Sequence, residues 1–142
     1  MEFKRIIEIK NEDDTRAFGL ALAEEALPGT VYALIGDLGT GKTTLTKSIA
    51  EGLGIERHIT SPTFTIVQEY REGRLPLFHF DVYRLRNAED LFEIGADEYF
   101  YGRGVCVVEW ADLVMEALPE DTKFICIDYA EEENGRVYKC TF

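Results

Sequence analysis

The stretch Val31-Tyr32-Ala33-Leu34-Ile35-Gly36-Asp37-Leu38-Gly39-Thr40-Gly41-Lys42-Thr43-Thr44 decides how the chain is read. Its first five residues are an unbroken apolar run with β-branched ends, the pattern of a strand buried on both faces. Gly36 to Thr43 then fits GxxxxGK[ST] at every fixed position. Glycines let the backbone curl so that successive N–H groups face inward, and a helix starting near Lys42 aims its positive end at the same point. That arrangement suits phosphate. Lys42 is expected to reach the β- and γ-phosphates and the Thr43 hydroxyl to meet Mg²⁺. The alternative is a glycine-rich turn that only joins strand to helix; the buried strand before it and the helical pattern after it favour the phosphate loop.

Outward from this stretch, elements alternate. Phe3 to Ile9 reads as a strand, and Asn11 followed by Glu12, Asp13 and Asp14 as an N-cap and acidic first turn. Phe18, Ala21, Leu22, Ala26 and Leu27 fall at helical spacing until Pro28-Gly29. A helix is expected from about Lys42 to Leu53. The spacing predicts strands over Thr65–Tyr70 and Leu75–Tyr83 joined by a turn at residues 71–74, with Pro76 confining the second to an edge or to late pairing. A helix capped by Asn87 carries Leu91, Phe92, Ile94 and Tyr99. Val105–Val108 is another buried strand, a short helix runs through Leu113, Val114 and Leu118, and Phe124–Tyr129 with Arg136–Phe142 forms a hairpin. One domain over residues 1–142 is expected, of α/β class: a three-layer P-loop NTPase-type fold whose mixed, mostly parallel sheet is flanked by helices.

Composition narrows the function classes. The chain has 142 residues, 46% of them hydrophobic, and a formal charge of −12 from 27 acidic and 15 basic residues. No Lys/Arg cluster offers the basic face that counterion release requires, so stable independent nucleic-acid binding is not expected. The acidic excess suits solubility or a basic protein partner. No apolar run is long enough to cross a membrane. Met1-Glu2-Phe3-Lys4-Arg5 leads into a strand pattern without a basic-then-apolar signal, so a cytoplasmic protein is expected. Cys106, Cys126 and Cys140 form no CxxC pair, and the first two sit in apolar runs as buried thiols.

A Mg²⁺ site beside a phosphate loop needs a carboxylate at the tip of a second buried strand. Asp81, Glu109 and Asp128 all qualify by position, the first two ranking above the third because the last hairpin has an acidic surround. His79 and His58 read as structural, since no second His or Cys is spaced for zinc. Trp110, next to Glu109, reads from the residues alone as core packing.

Four motifs occur in order: Gly36–Thr44, Ser61-Pro62-Thr63-Phe64-Thr65, His79-Phe80-Asp81-Val82-Tyr83-Arg84-Leu85, and Val108-Glu109-Trp110-Ala111. Together they closely resemble the bacterial TsaE (YjeE) family, over nearly the whole chain. The resemblance implies an accessory ATPase of tRNA threonylcarbamoyladenosine (t6A) synthesis that acts with TsaD and TsaB, downstream of TsaC, and does not itself transfer the group. It implies ATP and Mg²⁺ as ligands. Gly36, Asp37, Leu38, Gly39, Thr40, Gly41, Lys42, Thr43 and Thr44 would hold the nucleotide. Lys42, Asp81 and Glu109 would carry catalysis, and Thr43, Asp81 and Glu109 the metal. Asp81 resembles the Walker B-type acid, while Thr60, Ser61 and Thr63 resemble a switch I-like loop. Glu109 and Trp110 resemble a switch II-like element facing the partner. Glu12 and Arg136 are weaker expectations for contacts around the base or ribose. Competing readings are a P-loop small-molecule kinase, a GTPase (for which the guanine-reading tetrapeptide is missing), and a docking module without meaningful hydrolysis.

Overall fold

The computed structural model describes residues 1–37, 39–60, 62 and 66–142. It holds seven strands: β1 (Arg5–Ile9), β2 (Val31–Ile35), β3 (Val67–Tyr70), β4 (Leu77–Asp81), β5 (Val105–Glu109), β6 (Lys123–Tyr129) and β7 (Arg136–Cys140). They form one sheet in the order β1-β7-β6-β2-β5-β4-β3. The helices are α1 (Glu12–Glu25), α2 (Lys42–Gly52), α3 (Ala88–Glu93) and α4 (Ala96–Phe100).

The four central strands β6, β2, β5 and β4 run parallel, while β1–β7, β7–β6 and β4–β3 pair antiparallel. Parallel pairing therefore rules the middle of the sheet but not the whole of it, which corrects the expectation of a mostly parallel sheet. The cause is connection length: β6 joins β7, and β3 joins β4, through turns too short for a crossover helix. Pro76 lies just before β4, an interior strand. Its carbonyl accepts the Val105 N–H at 2.8 Å, so pairing begins at the proline without needing the missing donor.

Apolar residues cover both faces of the sheet. On one, Leu34, Val107 and Ile125 pack under α1 and α2 residues such as Leu22, Leu45 and Ile49. On the other, Phe80, Cys106 and Val108 meet Leu91, Ala96 and Phe100 of α3 and α4. Asn11 caps α1 by accepting the Asp14 N–H at 3.0 Å, as its type predicts, a contact worth about 1 kcal/mol. The buried face of α1 is Thr15, Gly19, Leu22 and Ala23, whereas Leu27 lies past the helix and is exposed.

Two predicted helices differ. The segment after Asn87 is not one helix but α3 and α4, divided at Gly95, whose φ of 79° ends regular helical winding. The segment through Leu113–Leu118 is a pair of 3₁₀ turns, Ala111–Leu113 and Met115–Ala117. Val114, at φ −134° and ψ 27°, interrupts helical winding between the two turns, and Leu118 is already extended ahead of Pro119. All three cysteines are free, and Cys126 is only partly buried, unlike Cys106 and Cys140. Burial pushes the Cys106 thiol up to about 12. No helix is long and apolar enough to cross a membrane among the described residues.

Candidate functional site

The glycine loop joins the end of β2 to the start of α2, where the parallel strands β2, β5 and β4 present their carboxyl ends. Gly41 takes the N-cap position of α2 at φ 97°, a left-handed conformation in which a side chain is strained. Gly41 itself has no side chain to cap this helix. Its first-turn N–H groups and positive end therefore face the loop, an arrangement that favours an anion.

Lys42 and Thr43 start the helix, and their side chains meet different partners. The Lys42 ammonium donates to the Gly36 carbonyl at 2.6 Å and the Asp37 carbonyl at 2.8 Å. It also lies 4.0 Å from the centroid of the Trp110 ring. Burial depresses its pKa, against the opposing pull of Glu109 and Asp81. The Thr43 hydroxyl donates to Glu109 at 3.1 Å to Oε1, with Oε2 at 3.3 Å.

The two carboxylates come from neighbouring strands. Asp81 ends β4 and Glu109 ends β5, directly opposite each other in register. Glu109 is buried, while Asp81 is half-buried. Burial raises the Asp81 pKa above the usual carboxylate range; the Tyr83 N–H, donating to it at 3.1 Å, pulls it down, and the nearby Glu109 charge pushes it up. Asp128, the third carboxylate, does not join them. It is exposed and pairs with Lys139 at 3.4 Å.

Trp110 turns the chain out of β5 with φ 63°, an unusual conformation for a bulky residue. That turn lays its indole over Lys42 and against Tyr83, with ring centroids 4.8 Å apart. Gly39, Gly41, Lys42, Thr43, Thr44, Asp81, Glu109 and Trp110 line one cleft of about 330 Å³.

A second, smaller cavity of about 80 Å³ adjoins the loop, lined in part by Glu12, Thr40, Thr44 and Arg136. Arg136, expected beside the base or ribose, donates to the Thr40 carbonyl at 3.0 Å and the Gly39 carbonyl at 3.2 Å. Its guanidinium also lies 4.7 Å from the Tyr129 ring centroid. Glu12 is exposed at the rim. Thr60 is exposed and outside the lining of either cavity. Leu38, Ser61 and Thr63 fall outside the described residues.

Two residues were not singled out from sequence. Tyr129 was read only as a strand residue. His79 was read as structural, yet its Nε2 meets Glu109 Oε2 in a buried contact. A polar residue inside the apolar run Leu77-Phe78-His79-Phe80, two before Asp81, was the available signal.

The oxygens in the main cleft suit a hard cation. One hydroxyl and two carboxylates fit the way Mg²⁺ binds, with few protein ligands and the rest from water and phosphate. Among the described residues no group of three or more His, Cys, Asp or Glu forms an all-protein metal cage.

Fold and cleft define a mixed α/β protein whose glycine loop, at the carboxyl end of a parallel strand, faces paired carboxylates. The family model described as threonylcarbamoyl adenosine biosynthesis protein TsaE matches residues 9–138, and the chain belongs to that family. It is 50% identical over 127 residues to the tRNA threonylcarbamoyladenosine biosynthesis protein TsaE of Bacillus subtilis, covering 89% of this chain and 79% of that one. The protein of the same name from Treponema pallidum is 44% identical, over 90% of this chain and 94% of its own. A crystal structure of Bacillus subtilis YdiB superposes with a TM-score of 0.80 at 43% identity, covering 100% of this chain and 89% of that one.

Proposed function

We propose that this chain is a P-loop ATPase that binds ATP with Mg²⁺ and serves tRNA t6A synthesis by regulating or resetting the TsaD–TsaB pair. The observation that carries this reading is the convergence of Lys42, the Thr43–Glu109 hydrogen bond and Asp81 on one cleft at the start of α2. Names of the relatives supply the pathway. The charge of −12 supports an accessory protein that leaves tRNA to others.

Bound Mg²⁺ supplies positive charge that offsets charge on the phosphate oxygens. The chain's own residues do the rest. Loop N–H groups and the start of α2 hold the phosphates. Lys42 exchanges the Gly36 and Asp37 carbonyls for phosphate oxygens, a stronger, charge-assisted bond. Glu109 holds the Thr43 hydroxyl, and with Asp81 it places two carboxylates where an attacking water needs orienting. In-line attack on the γ-phosphoryl is then mainly a matter of positioning and charge.

None of the described residues lining the cleft is an arginine. Turnover by the chain alone is therefore slow, and TsaD–TsaB completes the site. The same observation favours a second reading, a docking module in which nucleotide alone sets the partner-binding state. ATP hydrolysis by the purified protein, alone and with TsaD–TsaB, separates the two, with Lys42→Ala as control. Strong stimulation, lost in the variant, supports the ATPase. Tighter nucleotide binding without turnover selects the docking module, and no nucleotide binding at all rejects both.

A further inference from the structure

His79 is fully buried on β4, two residues before Asp81, so both side chains leave the strand on the same face. Its neighbours along the strand are Leu77, Phe78 and Phe80, and an imidazole among them is costly unless its nitrogens are hydrogen-bonded. Only one is. Nε2 meets Glu109 Oε2, while Nδ1 is buried without a partner among the described residues. A side chain present only to fill space would not leave a nitrogen stranded where leucine fits without that cost.

The partner it does have is the buried carboxylate of the main cleft. Glu109 receives one donor from α2, the Thr43 hydroxyl, and one from β4, His79 Nε2. It also stands opposite Asp81 in the register, so two carboxylates repel across neighbouring strands. Without a donor beneath it, Glu109 is free to swing away from that repulsion and from Thr43.

We infer that His79 is a positioning residue, holding Glu109 through Nε2 in the orientation that meets Thr43. This rests on the ATP–Mg²⁺ reading above and deepens it by naming the residue that aims the buried carboxylate. A carboxylate oxygen accepts, so Nε2 is the donor in this contact. Outer groups that orient a metal-site carboxylate in this way commonly control affinity by about 10- to 100-fold.

The test uses the full chain and the fluorescence of Trp110, the sole tryptophan, to follow ATP binding as MgCl₂ is titrated. His79→Leu should raise the half-saturating Mg²⁺ about tenfold while ATP binding without Mg²⁺ and the thermal midpoint hold. His79→Gln, whose amide N–H reaches the same carboxylate, should stay within about threefold of the parent. In a Glu109→Gln background, His79→Leu should add nothing, because the residue it acts through has been altered. An unchanged Mg²⁺ requirement in His79→Leu overturns the inference. So does a loss in His79→Gln as large as in His79→Leu, or additive effects in the double variant. Should His79→Leu fail to fold, His79→Asn, too short to reach Glu109, replaces it with the same expectation. If the parent protein gives no response to ATP with or without MgCl₂, the nucleotide reading itself fails and takes this one with it.

Discussion

Arg136, the first residue of β7, donates through Nε to the carbonyl of Thr40 at 3.0 Å, tying the last hairpin to the glycine loop 96 residues earlier. A second bond to the Gly39 carbonyl at 3.2 Å and the Tyr129 ring centroid 4.7 Å away further hold the guanidinium. Two loop carbonyls thus point toward the hairpin, and the trans peptides that carry them turn the N–H groups of Thr40 and Gly41 away from it. The hairpin is part of what shapes the loop.

Replacing Arg136 by alanine should therefore weaken nucleotide binding about tenfold, equivalent to ~1.4 kcal/mol, by loosening the loop. Lysine should not restore it, since it lacks the planar fork by which Nε and a terminal nitrogen reach the Thr40 and Gly39 carbonyls from separate points while the guanidinium lies over Tyr129. Isothermal titration with ATP and Mg²⁺ checks both variants. Full affinity in Arg136→Lys would show that charge alone is used.

Asp81 carries a cost in the fold. Its carboxyl titrates above the usual range in the fold, chiefly through burial. A carboxyl raised on folding contributes stability below its unfolded pKa and loses it as pH rises through the folded value. At neutral pH the charged group is thus a burden. Asp81→Asn should stabilise the fold by up to ~1 kcal/mol, a small figure because solvent screens a half-buried group. The gain should vanish below about pH 3.8, while metal-dependent nucleotide binding falls at neutral pH. Urea unfolding at several pH values reads the first effect, and a Mg²⁺ titration the second.

Much of this was legible in the chain itself. Val31–Ile35 is the same strand in sequence and structure, and Asn11 caps α1 because local hydrogen bonding decides such positions. The site was less legible where it depends on contacts between distant segments. Sequence position alone could not separate Asp81, Glu109 and Asp128, each at a strand end. Only the strand order places Asp81 and Glu109 on adjoining strands to one side of β2, with Asp128 on β6 at its other side, where it pairs with Lys139. The contacts of Arg136 and His79 are hidden for the same reason, each partner lying 30 or more residues away. Gly95 ended a predicted helix because a single left-handed residue outweighs apolar spacing on either side.

Trp110 joins a strained backbone to a ring that covers Lys42. Its left-handed φ costs roughly 1–2 kcal/mol for a residue with a side chain. Glycine there relieves the strain but removes the cation–π contact and the tilted ring contact with Tyr83. Trp110→Gly should thus change stability by less than about 1 kcal/mol while weakening ATP binding or turnover several-fold. Phenylalanine, keeping a ring face over the ammonium, should preserve most of the function. Calorimetry and ATPase assays on the pair of variants test this. A fully active glycine variant would remove Trp110 from the site.

Lys42 gives the sharpest separation between folding and binding. Its ammonium is buried, and its pKa lies below the ordinary lysine value because burial outweighs the carboxylates nearby. The unfolded chain therefore holds this proton more tightly than the fold does. Stability from this group rises as pH climbs from the folded pKa to about 10.5. Lys42→Ala removes that dependence, so the parent should gain stability relative to the variant across the same window. On the proposed ATP reading it also removes the cation for the phosphates, so nucleotide affinity should fall by about 100-fold or more, the worth of two charge-assisted hydrogen bonds. Chemical unfolding of both proteins from pH 7 to 10, beside ATP titrations at pH 7.5, measures the two effects separately. Retained ATP affinity in the variant would mean that loop N–H groups alone hold the phosphates, with the lysine bound to Gly36 and Asp37 throughout.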